Sequence, residues 1–152
     1  MTSRLNYAQA APGVMKAMLG LESYLASSTL DKHLKLLVVL RVSQINHCAY
    51  CIDLHSTELR ELGETNERID LLNAWQEAPF YTERERAALA WAEATTNLAP
   101  HFVPDDVYFA ASAEFNEREL ADLTLAVAAI NAWNRFGVAF RLVPESYKKA
   151  NS

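Results

Sequence analysis

The 152-residue chain holds 24 Ala and 20 Leu but only 4 Gly, with 51% of residues hydrophobic and 22% charged. So many helix formers with so few turn glycines exclude a sandwich or barrel of many short strands, and the apolar content excludes disorder. A net charge of −5 excludes a general nucleic-acid grip, and two cysteines are too few for a disulfide scaffold.

Residues 1–11 show neither the charged nor the apolar region of a signal peptide. Pro12 suits the opening of a first helix, where its missing N–H is not needed. Met15, Met18, Glu22 and Leu25 then recur at steps of three and four, one helical stripe that includes a carboxylate. Ser28 with Asp31 resembles a capping box ahead of a second helix carrying Leu30, Leu34, Leu37, Val38 and Arg41. Its apolar run, Leu34 to Val42, is broken by Lys35 and Arg41 and is far too short to span a bilayer. No membrane partner is expected, and a cytoplasmic setting would keep thiols reduced unless they are catalytic or bind metal.

A third helix is predicted from Cys48 to Leu62, capped by Gly63. Thr65 opens a fourth through Ile69, Leu72 and Trp75, stopped by Pro79. Thr82 with Glu85 caps a fifth that runs through Leu89, Ala92 and Ala99 to Pro100. Pro104 begins a sixth ending near Phe115. Asn116 with Glu119 caps a seventh that reaches about Leu142. With no linker, repeat or alternating stretch, the reading is one all-α domain of about seven helices over residues 1–152.

The chemically loaded stretch is Cys48-Ala49-Tyr50-Cys51-Ile52-Asp53-Leu54-His55. With Cys48 at the helix start, Cys51 falls one turn later and His55 follows on the same face. Unpaired N–H groups and the positive end of the helix dipole favour a thiolate there, and an imidazole accepts its proton. A nucleophile, a second thiol and a base suit two-thiol redox chemistry. Two other readings use the same residues. Cys48, Cys51 and His55 match three zinc ligands, although the remaining His33, His47 and His101 form no second pair. Packed, inert cysteines are the third reading. No metal is expected, and a thioredoxin-like fold would need strands.

Leu40-Arg41-Val42-Ser43-Gln44-Ile45-Asn46, then Cys48-Ala49-Tyr50-Cys51 and His55, resembles the core of the carboxymuconolactone decarboxylase superfamily, in its alkylhydroperoxidase AhpD-like branch. The resemblance continues through Gly63-Glu64, Leu72-Asn73-Ala74-Trp75, the Glu83–Leu89 helix and Asn131-Ala132-Trp133-Asn134-Arg135, covering about residues 12–144. It implies an all-helical subunit in a homotrimer or homohexamer, with its redox core at about residues 30–80. It further implies reduction of a small hydroperoxide without a bound cofactor. Cys51 would attack the peroxide and become a sulfenic acid. Cys48 would condense with it to a redox-active disulfide, Cys48–Cys51. A thiol or dithiol reductant, of the lipoylated or thioredoxin-like protein kind, would reset the pair. A redox sensor whose cysteine pair toggles without turnover is the alternative. An enzyme on the same fold using His55 for proton transfer on a small organic substrate is a third.

The family's relay carboxylate stands twelve residues before the first cysteine, where this chain has Leu36. Glu22, a carboxylate on an apolar stripe, is the candidate replacement, because burying it unpaired would be costly. Glu58 is the local rival, with Arg60 or Arg41 as an alternative partner. Ser43 and Tyr50 are candidate substrate-binding groups. Trp75, Trp91 and Trp133 read as core or interface anchors. Asn131, Asn134 and Arg135 read as a buried polar network or an oligomer contact, and Glu83 to Arg86 as a solvated charged face.

Overall fold

Lys32–Ile45 (α3) is apolar almost all round, with Leu34, Leu36, Leu37, Val38, Val39, Leu40 and Val42 all buried. A helix of that pattern belongs at the centre of a core rather than on its surface. In the computed structural model, which describes residues 2–100 and 102–150, it occupies that position. His101, one of the three spare histidines of the zinc reading, lies outside the described residues. Around α3 pack Ala49–Glu61 (α4), Glu83–Thr96 (α6) and the long Glu117–Ala139 (α8). Pro12–Ser27 (α2) lies along α8, and Asp105–Glu114 (α7) along α6. The described residues contain no strand, so the fold is all-α and AhpD-like. No helix among them is long and apolar enough to cross a membrane.

Both capping boxes expected at Thr82/Glu85 and Asn116/Glu119 are complete, each side chain receiving the other residue's N–H. Pro12 stands at the start of α2. Ser28 and Asp31 do not form a box. The Ser28 hydroxyl donates to the Leu25 carbonyl at 2.8 Å and closes α2, while Asp31 alone caps α3 by accepting the Leu34 N–H at 2.8 Å.

Three turns end in the same Schellman pattern, a left-handed residue whose own N–H and that of the next residue reach back into the helix. At Gly63 (φ 87°) the next residue's N–H bonds Leu59 O at 3.0 Å. At His47 (φ 54°) the Cys48 N–H bonds Ser43 O at 3.0 Å, and at Arg141 (φ 53°) the Leu142 N–H bonds Gly137 O at 2.9 Å. Only one of the three uses glycine, which is part of how the chain manages with four.

The expected fourth helix is broken into Asn66–Asp70 (α5) and a single 3₁₀ turn, Leu72–Ala74. Arg86 explains why no helix continues from Trp75 to Pro79. Its guanidinium donates to the carbonyls of Trp75 at 3.2 Å, Gln76 at 3.4 Å and Tyr81 at 3.1 Å, and to Ala78. Those carbonyls are satisfied by a side chain instead of a helix. Arg84 likewise reaches Glu119 at 2.8 Å and the Glu114 carbonyl. Arg84 and Arg86 therefore clamp two loops and are not part of the solvated face their charges suggested, while Glu83 remains exposed.

Two short helices escaped the periodicity. Tyr7–Ala10 (α1) docks Tyr7 against Phe136 in α8's last turn and Phe140 just after it, ring centroids 4.8 and 5.9 Å apart. Glu145–Ala150 (α9) is tied to α4 where the Asp53 carboxylate accepts the Ser146 N–H at 3.0 Å. Each is too short to display a repeat of 3.6 residues.

Candidate active site

The turn at His47 delivers Cys48 to the N-cap of α4, and Cys51 follows in its first turn. Cys48 and Cys51 are joined in a disulfide, and the Cys48 sulfur accepts the Cys51 N–H at 3.3 Å. Both are buried, Cys48 to 1% exposure and Cys51 to 4%. Their surroundings differ. Gly137 of α8 closes over the Cys48 side, whereas Cys51 faces a cavity of about 380 Å³.

That cavity lies between α2, α3, α4 and α8. Leu25, Leu36, Val39, Leu54 and Ile130 supply much of its apolar wall, and Tyr50 and Trp133 add aromatic faces. Its charged groups are Glu22, Lys32, Lys35 and Glu58, with His55 beside them. Of the residues singled out in the sequence, Cys51, His55, Glu22, Glu58 and Tyr50 are thus brought to one chamber.

His55 Nδ1 lies 2.8 Å from Glu58 Oε2, one turn along α4. The His55 hydrogen bond holds the Glu58 carboxyl below its ordinary range, against the upward push of burial; charges on His55, Lys32 and Lys35 add to the lowering. A proton held on Nδ1 by that carboxylate leaves Nε2 as the basic nitrogen. Neither arginine offered as a partner for Glu58 is in place. Arg41 pairs with Glu93 at 2.7 Å, and Arg60 donates to Asn66 at 2.9 Å.

Glu22 sits half-buried on the α2 wall, where Oε1 accepts the Trp133 indole N–H at 2.9 Å. Leu36, at the position of the family's relay acid, is buried and lines the same cavity. Ser43 stands apart. Its hydroxyl donates to the Val39 carbonyl at 2.7 Å and accepts the Asn134 amide at 3.1 Å, so it is spent on the core. That bond begins a buried network in which the Asn46 amide donates to Asn131 and Asn134, each at 2.9 Å. This is the polar network anticipated on α8 for Asn131 and Asn134, with Arg135 on its exposed edge donating to Asn131, and it braces the turn that carries Cys48. Trp75 and Trp91 are core anchors, donating to Glu93 at 2.8 Å and Thr124 at 3.0 Å.

Sequence reasoning passed over Trp133, Lys32, Lys35 and Gly137 as site residues. Only one signal pointed to any of them: a glycine inside an otherwise strong helix former such as α8 costs about 1 kcal/mol and needs a reason. No group of three or more His, Cys, Asp or Glu among the described residues is arranged to hold a metal ion.

Known proteins match this chain in sequence and fold. The profile of the carboxymuconolactone decarboxylase family matches residues 12–94. The uncharacterized protein YdfG of Bacillus subtilis is 40% identical over 139 residues, 91% of this chain and 95% of that one. A crystal structure from Agrobacterium tumefaciens, of a protein of unknown function offered as a candidate antioxidant defence protein AhpD, superposes with a TM-score of 0.91. It shares 43% identity and covers 94% of this chain and 98% of that one. An uncharacterized peroxidase-related protein from Silicibacter superposes with a TM-score of 0.76 at 25% identity, covering 87% and 70%. The chain belongs to the carboxymuconolactone decarboxylase family, within its AhpD-like group of folds.

Proposed function

We propose that this protein reduces hydroperoxides with its cysteine pair. The observation that carries the reading is the asymmetry of the disulfide: Cys51 opens on a cavity shared with a carboxylate-bound histidine, and Cys48 is shut behind it against α8.

In the reduced protein His55 Nε2 accepts the Cys51 thiol proton. The thiolate attacks the distal oxygen of the hydroperoxide, the O–O bond breaks, and the departing alkoxide takes a proton from the imidazolium. Products are an alcohol and a Cys51 sulfenic acid. The Cys48 thiol then attacks the Cys51 sulfur; the S–S bond forms, the S–O bond breaks, and hydroxide leaves as water with the thiol proton. Glu58 fixes the His55 tautomer. Glu22, on the facing wall, adds a second carboxylate and holds Trp133 in place. Tyr50 offers its hydroxyl to the substrate. An external dithiol returns both electrons by exchange through a mixed disulfide.

Steady-state consumption of tert-butyl hydroperoxide with a dithiol tests this directly. Turnover that disappears in Cys51→Ser is the expected result. One slow oxidation per molecule, with no turnover, would instead mark a redox sensor, and turnover indifferent to Cys51 would end the thiol mechanism.

A further inference from the structure

Peroxide chemistry at Cys51 accounts for one end of the cavity and leaves two lysines at the other unexplained. Lys32 and Lys35 line the chamber from the first turn of α3, Lys32 exposed and Lys35 half-buried. Their field reaches Glu58. That carboxylate is already bonded to His55, and Glu22 is bonded to Trp133. The Lys32–Lys35–Glu58 end therefore carries two ammonium groups against one carboxylate, at the rim of an otherwise apolar chamber.

The spacing is defined by the helices. On α4, Glu58 follows Cys51 by seven residues; on α3, Lys32 precedes Val39 by seven. At 1.5 Å per residue, each interval is about 10 Å. At about 380 Å³ the cavity falls within the range of small-molecule pockets, roughly 300–1,000 Å³. That is enough for a carboxylate, a peroxide and a medium alkyl spacer.

Resting on the peroxidase reading, we propose that the preferred substrate is an amphipathic hydroperoxide with an anionic carboxylate head about 10 Å from its peroxide. Lys32 and Lys35 receive the head, the Leu36–Val39–Ile130 wall covers the spacer, and the peroxide meets Cys51. The leucine at position 36 fits this substrate, since a carboxylate there would put a charge against the spacer and repel the head.

The test compares 8-hydroperoxyoctanoate with its methyl ester and with tert-butyl hydroperoxide, in the wild type and in Lys32→Gln/Lys35→Gln. The acid is expected to exceed the ester in kcat/KM by about five- to tenfold, and the double variant to bring the acid down to the ester's level. Octanoate itself, followed by quenching of tryptophan fluorescence, is expected to bind the oxidised protein saturably and more weakly to the variant. Equal kcat/KM for acid and ester, or octanoate binding unchanged in the variant, would overturn the proposal. Failure of tert-butyl hydroperoxide to turn over is a failure of the peroxidase reading instead, and the octanoate titration still decides the anion subsite.

Discussion

Gly137 lies so close to Cys48 that a Cβ built on it would stand 2.6 Å from the Cys48 sulfur and 3.4 Å from that of Cys51. Gly137 stands in the last turn of a 23-residue helix, where glycine to alanine ordinarily stabilises, by up to about 1 kcal/mol. Here the sign reverses. Gly137→Ala is expected to destabilise the oxidised protein by about 1–3 kcal/mol, as overpacking against a fixed sulfur does. In Gly137→Ala/Cys48→Ala the sulfur is gone, so the alanine should recover its helix gain relative to Cys48→Ala alone. Urea unfolding of the four proteins forms a double-mutant cycle, and an additive result would remove the contact.

The two carboxylates of the cavity act differently, and conservative substitutions separate them. Glu58→Gln takes the charge from His55 Nδ1 and loosens control of its tautomer; peroxide-dependent thiol oxidation should slow by about tenfold. Glu22→Gln keeps an acceptor for the Trp133 indole, so the fold is preserved. Its charge acts across the chamber, and the slowing should be about two- to threefold. Stopped-flow oxidation of the reduced protein at fixed pH measures both. The reverse ranking would make Glu22, not Glu58, the acid that replaces the one absent at Leu36.

Arg86 shows where the sequence stopped being legible. Periodicity, caps and prolines locate α2, α3, α4, α6, α7 and α8, because each buries a stripe, carries its own cap or, like α7 after Pro104, opens behind a proline. The Cys48–Cys51–His55 line was equally plain, since its members share one helix. What failed were relations between helices. The Glu22–Trp133 bond joins residues 111 apart, and Gly137 meets Cys48 across 89. Nothing local marks either. Arg86 was misread for the same reason: its four carbonyl partners belong to a loop that neighbouring residues do not reveal. Arg86→Ala leaves those carbonyls without their charged donor and should cost about 2–4 kcal/mol by thermal or urea unfolding. A loss under 0.5 kcal/mol, the usual limit for a surface change, would restore the solvated-face reading.

Glu64 gives the stability a defined dependence on acid. Its carboxylate sits 2.8 Å from His33 Nε2, shares the Arg68 Nε–H between its two oxygens at 2.9 and 3.0 Å, and takes the Thr65 N–H at 2.8 Å. Burial pushes its carboxyl up, but the Arg68 guanidinium, the Thr65 N–H and the His33 charge outweigh it and hold the group below its ordinary value of 4.5. Arg68 in turn bonds Glu85 at 2.6 Å, so the cluster ties the start of α3 to α5 and α6. The sign follows from linkage: a carboxyl lowered in the folded state adds stability that is complete above its unfolded value and is lost as pH falls through the folded one. Unfolding free energy should therefore be flat near neutrality on this account and decline below about pH 4.5. In Glu64→Gln the protein should be less stable at pH 7, and the decline below 4.5 should be shallower. Urea midpoints from pH 7 to pH 3 in both proteins measure it, and parallel curves would assign the acid limb to other carboxylates.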